Sequence, residues 1–285
     1  MQYTLKKKEL EAVIETHGAE LVSLKKNGTE TIWSGEAWNR HAPVLFPFVC
    51  NTRSKKFTVE GKEYSFSNHG FARDTEFDVC SNAEDSITLF ISSEREDIKD
   101  KFPFDYKFFV TYSLDDEGLT FEFRVENTGF RRMYFFVGGH PGFFVPFRDE
   151  KELSFEDHTI VYEKDEHIVQ HLDSGDVTVL EKGNSVKVTR ELFKNDVFLI
   201  DRPASSKVSI VSKSGRRITL SYDNRGVIAV WSPYKEDAEF ICLEPWAQTP
   251  VYDGGSEELT EMKNAMHLEA GQLFTMDCKI DLSSF

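Results

Sequence analysis

Three short segments of the sequence place a histidine or a carboxylate among glycine, proline and aromatic residues. They read Asn68-His69-Gly70-Phe71-Ala72-Arg73, Gly138-Gly139-His140-Pro141-Gly142-Phe143-Phe144 and Cys242-Leu243-Glu244-Pro245-Trp246. A histidine titrates near neutral pH, and an ionised glutamate can accept a proton. The glycines beside them let backbone or ligand approach closely. These segments are therefore candidates for acid–base chemistry.

Each of these residues also has a structural interpretation when it is taken alone. A histidine beside glycine is often a hydrogen-bonded structural residue, and Arg53 and Arg73 fit surface ion pairs. Trp246 fits an ordinary core position. Glu244 is harder to explain in this way, because a carboxylate between apolar neighbours is costly to bury without a partner. No single residue settles the function.

The elements that carry these segments are predicted to be β-strands. Two adjacent segments alternate apolar and polar residues with period two, which places successive side chains on opposite faces of a strand. Their apolar positions are Tyr106, Phe108, Val110, Tyr112 and Leu114 in the first, and Leu119, Phe121, Phe123 and Val125 in the second. Asp115-Asp116-Glu117-Gly118 between them has the residue types of a turn. The pair is predicted to be a β-hairpin.

The same alternation recurs along the chain. A second predicted hairpin pairs the segment of Phe57 and Val59 with that of Tyr64 and Phe66. A third pairs the segment of Val208 and Ile210 with that of Ile218 and Leu220. The alternation also occurs in the C-terminal segment from Phe274 to Ile280. A short helix is predicted between Ser256 and Met266, with Ser256 as N-cap and Leu259 and Met262 facing the core. The 13% of aromatic residues, with 25 Phe, favour strands. We predict an all-β protein in which residues 1–285 form one large antiparallel β-sandwich domain with few short helices.

The charge balance limits the partners. Lys and Arg number 34 against 49 Asp and Glu, a net charge of -15, so the averaged field repels nucleic acid and anionic membrane surfaces. The basic N-terminal residues are followed by no apolar run, and no segment approaches the length of a spanning helix. We therefore expect a soluble cytoplasmic protein that acts on a small molecule. Its oligomeric state cannot be derived from this pattern.

The four cysteines are Cys50, Cys80, Cys242 and Cys278, widely scattered in apolar contexts. They lack the paired spacing of zinc or redox sites, so we expect buried free thiols and no metal.

Together the segments resemble the aldose 1-epimerase (galactose mutarotase-like) family, and within it the LacX-like branch. The landmarks are Pro43-Val44-Leu45-Phe46-Pro47, His69-Gly70-Phe71-Ala72-Arg73, Gly139-His140-Pro141 and Leu243-Glu244-Pro245-Trp246, in the family's order and across nearly the whole chain. The resemblance implies a galactose-mutarotase-like (supersandwich) β-sandwich with its active site in an open cleft. It also implies an isomerase that interconverts the α and β anomers of an aldohexose.

The family's roles carry over position by position. Glu244 matches the general base, His140 the general acid, and His69 the second histidine that holds the sugar near its ring oxygen. The resemblance implies that Arg53 or Asn51 contacts the sugar, since Cys50-Asn51-Thr52-Arg53 departs from the common Gly-Arg pattern. It likewise implies a sugar-binding aspartate at Asp196, with Asp201 as the alternative.

The chemistry fits these residue types. Opening a cyclic hemiacetal removes a proton from the anomeric hydroxyl and gives one to the ring oxygen, so it needs a base and an acid but no cofactor. Trp246 and Phe71 are expected to offer apolar surface to the sugar ring.

Three alternatives stay open. Arg73 belongs to a motif shared with hexose-6-phosphate mutarotases, so the sugar could be phosphorylated. The cleft could also bind sugar without turnover. Finally, two histidines and a carboxylate are the ligand set of a mononuclear iron site, although such ligands are usually closely spaced on a strand.

Overall fold

The computed structural model describes residues 1–52, 54–250 and 255–285, and within them strands dominate. The strands are β1 (Gln2–Lys7), β2 (Leu10–Glu15), β3 (Glu20–Lys26), β4 (Thr29–Glu30), β5 (Val44–Leu45), β6 (Lys56–Val59), β7 (Lys62–Ser65), β8 (Asp78–Asn82), β9 (Ser86–Ser92), β10 (Tyr106–Leu114), β11 (Gly118–Asn127), β12 (Met133–Phe135), β13 (Gly138–Gly139), β14 (Gly142–Phe144), β15 (His158–Gln170), β16 (Val177–Lys187), β17 (Phe198–Asp201), β18 (Lys207–Ser212), β19 (Arg217–Ser221), β20 (Val227–Trp231), β21 (Phe240–Trp246), β22 (Met266–Leu268) and β23 (Leu273–Asp281). Single 3₁₀ turns lie at Ala72–Asp74, Phe155–Asp157, Glu191–Phe193 and Leu259–Glu261.

Two antiparallel sheets form the framework. The larger has nine strands in the order β16-β15-β18-β19-β23-β11-β10-β9-β8. The second has the order β17-β20-β21-β13-β5, with β14 also paired to β21. Smaller sheets are β1-β2-β3-β4, β12-β22 and β6-β7. The all-β, antiparallel sandwich predicted from the sequence is confirmed.

The predicted hairpins have the expected register. Tyr106 pairs with Asn127 and Leu114 with Leu119 in the β10–β11 ladder. Phe57 pairs with Tyr64, and Val208 with Leu220, in the other two hairpins. The C-terminal strand β23 pairs with β11 and buries Met276, Cys278 and Ile280. Alternation predicts these strands well because one face of each is buried.

Aromatic side chains fill the space between the two main sheets. Phe46, which follows β5, stacks on Phe108 of β10, with ring centroids 4.4 Å apart and 17° between the planes. Both rings are fully buried. Burial of a phenylalanine side chain contributes about 1.5–3 kcal/mol, so this contact anchors the loop after β5, which borders the cavity described below.

Two local predictions need correction. The expected helix between Ser256 and Met266 is a single 3₁₀ turn at Leu259–Glu261, although Leu259 and Met262 do face the core. The four cysteines are free, but only Cys242 and Cys278 are buried, while Cys50 is half-buried and Cys80 is exposed on β8. The strand β8 lies at the edge of its sheet, where neither face is covered.

No helix among the described residues has the length and apolar character needed to span a membrane.

Candidate active site

An open cavity of about 500 Å³ borders the six-stranded sheet. Its lining residues come from loops and strand ends: Trp38, Cys50, Asn51, Asn68, His69, Arg73, His140, Asp196, Val197, Trp231, Glu244 and Trp246. The three residues predicted to carry the chemistry, His69, His140 and Glu244, therefore lie at one cavity. The volume is within the range of small-molecule sites.

Glu244 and His140 face each other across paired strands. Gly138 pairs with Trp246, and Gly142 pairs with Cys242, so the register places His140 opposite Glu244. His140 Nε2 lies 3.1 Å from Glu244 Oε2, and both side chains are almost fully buried. A Cβ at Gly138 would lie 2.6 Å from the Trp246 ring, so glycine is required for this close approach.

Burial controls the protonation of this pair. It raises the pKa of Glu244 well above its usual value, an effect that the nearby Asp196 increases and the Trp246 indole opposes. Burial also lowers the pKa of His140, whose ring contacts both Trp38 and Trp231. Each shift disfavours the charged form of its group, so the pair keeps one proton between two atoms in hydrogen-bonding distance.

His69 is held in one tautomer by the backbone of Cys50. The backbone N–H of Cys50 donates to His69 Nδ1 at 3.0 Å, and the backbone N–H of His69 donates to the Cys50 carbonyl at 3.0 Å. Since a backbone N–H can only donate, Nδ1 must be the acceptor and the proton of the neutral ring must be on Nε2. Burial lowers the pKa of His69 well below its usual value, so the ring stays neutral. His69 is thus a fixed hydrogen-bond donor.

The segment around His69 is attached to the loop after β5. The N–H groups of Phe71 and Ala72 both donate to the Phe46 carbonyl at 3.1 Å. Gly70 has φ +77°, and a Cβ there would collide with the Phe46 backbone. The glycine of the His-Gly-Phe-Ala-Arg motif therefore serves a close backbone approach that positions His69.

Asp196 and Trp231 form a second polar contact at the cavity. The Trp231 indole N–H donates to Asp196 Oδ1 at 2.6 Å. Asp196 adopts φ +70°, a left-handed conformation that aspartate tolerates better than most residues. Among the described residues no hydrogen bond is made to Asp196 Oδ2, so this oxygen can accept from a ligand.

Trp38 provides a flat apolar wall. Its indole stacks on buried Phe240, with centroids 5.4 Å apart and 10° between the planes. Its carbonyl accepts from the Trp33 indole N–H at 2.9 Å, which fixes the loop. A half-buried aromatic face beside polar groups is suited to the apolar face of a sugar ring.

Two of the remaining residues predicted to contact the sugar lie at the cavity. Asn51 and Arg73 line the cavity, and both the Asn51 Oδ1 and the Arg73 Nε are buried without a hydrogen-bond partner among the described residues. Burial and the nearby Arg40 lower the pKa of Arg73. Arg53, the alternative to Asn51, lies outside the described residues.

Phe71 and Asp201 lie away from the cavity. Phe71 packs edge-on against Phe46, with Lys101 Nζ 5.7 Å from its ring centroid, so the expected stacking of a sugar on Phe71 does not fit its position. Asp201 is exposed on β17, opposite Val227. Of the two candidate aspartates, the structure brings Asp196 to the cavity.

Sequence reasoning missed Trp38 and Trp231. Trp231 ends β20 two residues before Pro233, so a side chain with a polar N–H at a strand exit was a signal that could have singled it out. Trp38 lies in a loop whose position relative to His140 depends on tertiary contacts, so no local pattern singles it out.

One group of metal-ligand types converges among the described residues. It consists of His140, Cys242 and Glu244, whose donor atoms lie within 4.8 Å of one another. His69 is not a member, so the two-histidine, one-carboxylate set considered from the sequence is not the set that the fold assembles.

The fold and the site define a class of protein: a β-sandwich with a buried histidine–glutamate pair in an open, aromatic-lined cleft. The family model for aldose 1-epimerase matches residues 1–252, and the chain belongs to that family. It is therefore an isomerase of the aldose 1-epimerase type. The plasmid-encoded protein LacX of Lactococcus lactis subsp. lactis is 30% identical over 266 residues, which cover 87% of this chain and 88% of LacX.

Two solved structures are similar over almost their full length. A galactose mutarotase-like protein from Lactobacillus casei shares 30% identity with a TM-score of 0.88, covering 99% of both chains. A galactose mutarotase related enzyme from Lactobacillus acidophilus shares 27% identity with a TM-score of 0.88, covering 100% of this chain and 98% of its own.

Proposed function

We propose that this protein is a mutarotase that interconverts the α and β anomers of an aldohexose, with Glu244 as general base and His140 as general acid. The observation that supports this most directly is the 3.1 Å contact between His140 Nε2 and Glu244 Oε2 in a cavity open to a small ligand. The two oxygens that exchange protons in the reaction are bonded to the same anomeric carbon. A base and an acid side by side can therefore serve both.

The reaction begins with the proton of the pair on His140. Glu244 accepts the proton of the anomeric hydroxyl while His140 donates its proton to the ring oxygen, and the bond between the anomeric carbon and that oxygen breaks. The open-chain aldehyde forms, and rotation about the C1–C2 bond presents its other face. The reverse transfers then close the ring to the second anomer.

This exchange leaves the number of protons in the site unchanged. Ring opening converts anionic Glu244 and cationic His140 into a neutral acid and a neutral imidazole, and ring closure restores the charges. Both states hold one proton on the pair, and burial favours the neutral one. No proton has to cross between the buried site and bulk water during turnover. A positioned acid or base contributes about 10²- to 10⁴-fold in rate.

Other cavity residues hold the sugar. His69 offers its fixed Nε2 proton, which suits the acceptor lone pairs of a ring oxygen. Asp196 and Asn51 accept from hydroxyl groups, and the Trp38 indole contacts the apolar face of the ring. None of these contacts requires a cofactor.

A hexose 6-phosphate is the second candidate substrate, and Arg73 is the observation that favours it. Its guanidinium borders the cavity, and its buried Nε has no hydrogen-bond partner among the described residues, although it lies 3.9 Å from Asp74 Oδ2. A guanidinium in this position can bind a phosphate group. The net charge of -15 opposes anions in general, so we rank the free sugar first.

The test is anomer exchange followed by NMR across free and phosphorylated aldohexoses. We expect exchange well above the spontaneous rate for at least one free aldohexose. A larger acceleration for the 6-phosphates would favour the second candidate. Saturable binding of a sugar without any acceleration would instead identify a binding protein and contradict the proposed function.

A further inference from the structure

Cys242 adds a thiol to the buried acid–base pair. Cys242 and Glu244 are two residues apart on β21, so they share a face of the strand. The register places Gly142 opposite Cys242, and a Cβ at that glycine would lie 3.3 Å from the Cys242 sulfur. The thiol thus lies beneath the segment that carries His140.

The three donors suit a soft divalent cation. Their ligand atoms lie within 4.8 Å of one another, and all three residues are buried. In a tetrahedral zinc site with bonds of about 2.0–2.3 Å, ligand atoms are separated by about 3.5 Å. Side-chain rotations that move the ligand atoms by about 1 Å would bring them to this separation. The mixture of sulfur, imidazole nitrogen and carboxylate oxygen favours zinc over magnesium or calcium.

The charges of such a site also balance. A thiolate and a carboxylate neutralise the two charges of the cation, and the imidazole is neutral, so the buried site has no net charge. Glu244 and His140 border the open cavity, which provides a path for entry and a fourth position for water. Three protein ligands with one open position are a common zinc arrangement.

We propose that His140, Cys242 and Glu244 form an inhibitory site for a thiophilic divalent cation such as Zn²⁺. The ion takes the lone pairs of His140 Nε2 and of the Glu244 carboxylate, which are the atoms that exchange protons in the proposed function, so the inhibitory part of this inference rests on that function. Activity itself does not require the ion, and we expect it to survive chelation.

The binding experiment uses Co²⁺ as an optical probe, displaced by Zn²⁺, on the full chain. We expect a thiolate-to-cobalt charge-transfer band in the wild type that is absent in Cys242→Ser and Cys242→Ala. Matched controls are Cys50→Ser, which changes the half-buried thiol at the cavity, and Cys80→Ser, which changes an exposed thiol. Both controls should keep the band.

Cadmium NMR of the wild type provides a reading that needs no variant, because a sulfur ligand shifts the cadmium resonance strongly. A resonance in the range of oxygen and nitrogen ligands alone, or a cobalt band that persists in both Cys242 variants, would overturn the site.

The activity experiment separates this inference from the proposed function. We expect Zn²⁺ to inhibit anomer exchange, and Cys242→Ser, which leaves the acid–base pair intact, to need at least about tenfold more Zn²⁺. Equal inhibition of the wild type and Cys242→Ser would overturn the proposal. If no sugar is turned over but Co²⁺ binding still depends on Cys242, the proposed function fails and the cation site stands.

Discussion

Cys50 and His69 hold each other through two hydrogen bonds, one between their backbones and one from the Cys50 N–H to the His69 ring, each 3.0 Å long. Both residues adopt a left-handed backbone conformation, with φ of +60° and +64°. Such a conformation costs a non-glycine residue about 1–3 kcal/mol. Cys50 and His69 are distant in sequence but are hydrogen-bonded to each other at the cavity. We infer that this strained backbone serves to present the Nε2 edge of His69 to a ligand.

The first prediction is that the His69 tautomer can be observed directly. In the ¹⁵N NMR spectrum of labelled protein, His69 should show an unprotonated Nδ1 and a protonated Nε2. Because burial lowers its pKa, this neutral form should persist well below the usual histidine range. The missing signal in His69→Asn assigns the resonance. A protonated Nδ1 at neutral pH would contradict the structure.

The second prediction is that Glu244→Gln nearly abolishes anomer exchange while leaving sugar binding largely intact. The amide keeps the shape of the side chain but cannot accept the anomeric proton, so the catalysed rate should fall by about 10²- to 10⁴-fold. The measurement is NMR exchange with the spontaneous rate subtracted. Glu239→Gln, an exposed neighbour on the same segment, is the control and should behave as the wild type. A rate near the wild-type value in Glu244→Gln would make Glu244 structural.

The third prediction separates the two histidines. His140→Asn should lower kcat, because it removes the proton donor to the ring oxygen. His69→Asn should raise KM as well as lower kcat, because it removes the fixed donor that positions the ring. Steady-state kinetics on both variants give the comparison. Identical defects in the two variants would show that the roles are wrongly divided.

The fourth prediction is a broad bell-shaped pH profile. Activity needs one proton on the pair, so the acid limb marks the addition of a second proton to His140 and the alkaline limb marks the loss of the shared proton. The lowered pKa of His140 moves the acid limb below the usual histidine range, and the raised pKa of Glu244 moves the alkaline limb above the usual carboxylate range. The profile of kcat/KM, corrected for the spontaneous rate, checks this. An acid limb within the usual histidine range, at about pH 6.5, would count against the pair.

The fifth prediction concerns Trp231. Trp231→Phe keeps an aromatic ring but removes the N–H that orients Asp196, so we expect KM to rise by about 3- to 10-fold with a smaller change in kcat. Tyr234→Phe is the matched control, because it removes a hydrogen bond from Tyr234 to Glu191, a residue that does not line the cavity. An unchanged KM in Trp231→Phe would show that the Trp231 N–H does not orient Asp196 for sugar binding.

The sequence by itself determined the strand framework and the three candidate residues. Alternation over Tyr106–Leu114 and Gly118–Asn127 is a local property, since each side chain faces either the core or the solvent within its own strand. The predicted helix near Leu259 is longer than the observed 3₁₀ turn. Capping and periodicity favour a helix only weakly, and here tertiary packing buries a single turn.

Only the tertiary structure decided how the residues of the site act. The placement of His140 opposite Glu244 follows from the register of strands that are distant in sequence, and the same register brings Cys242 to the pair. Trp38 joins the site through its loop, whereas Phe71 turns toward Phe46. Protonation was equally beyond the sequence. Burial lowers the pKa of both histidines, and the Cys50 N–H sets the tautomer of His69, and both effects arise only when the chain is folded.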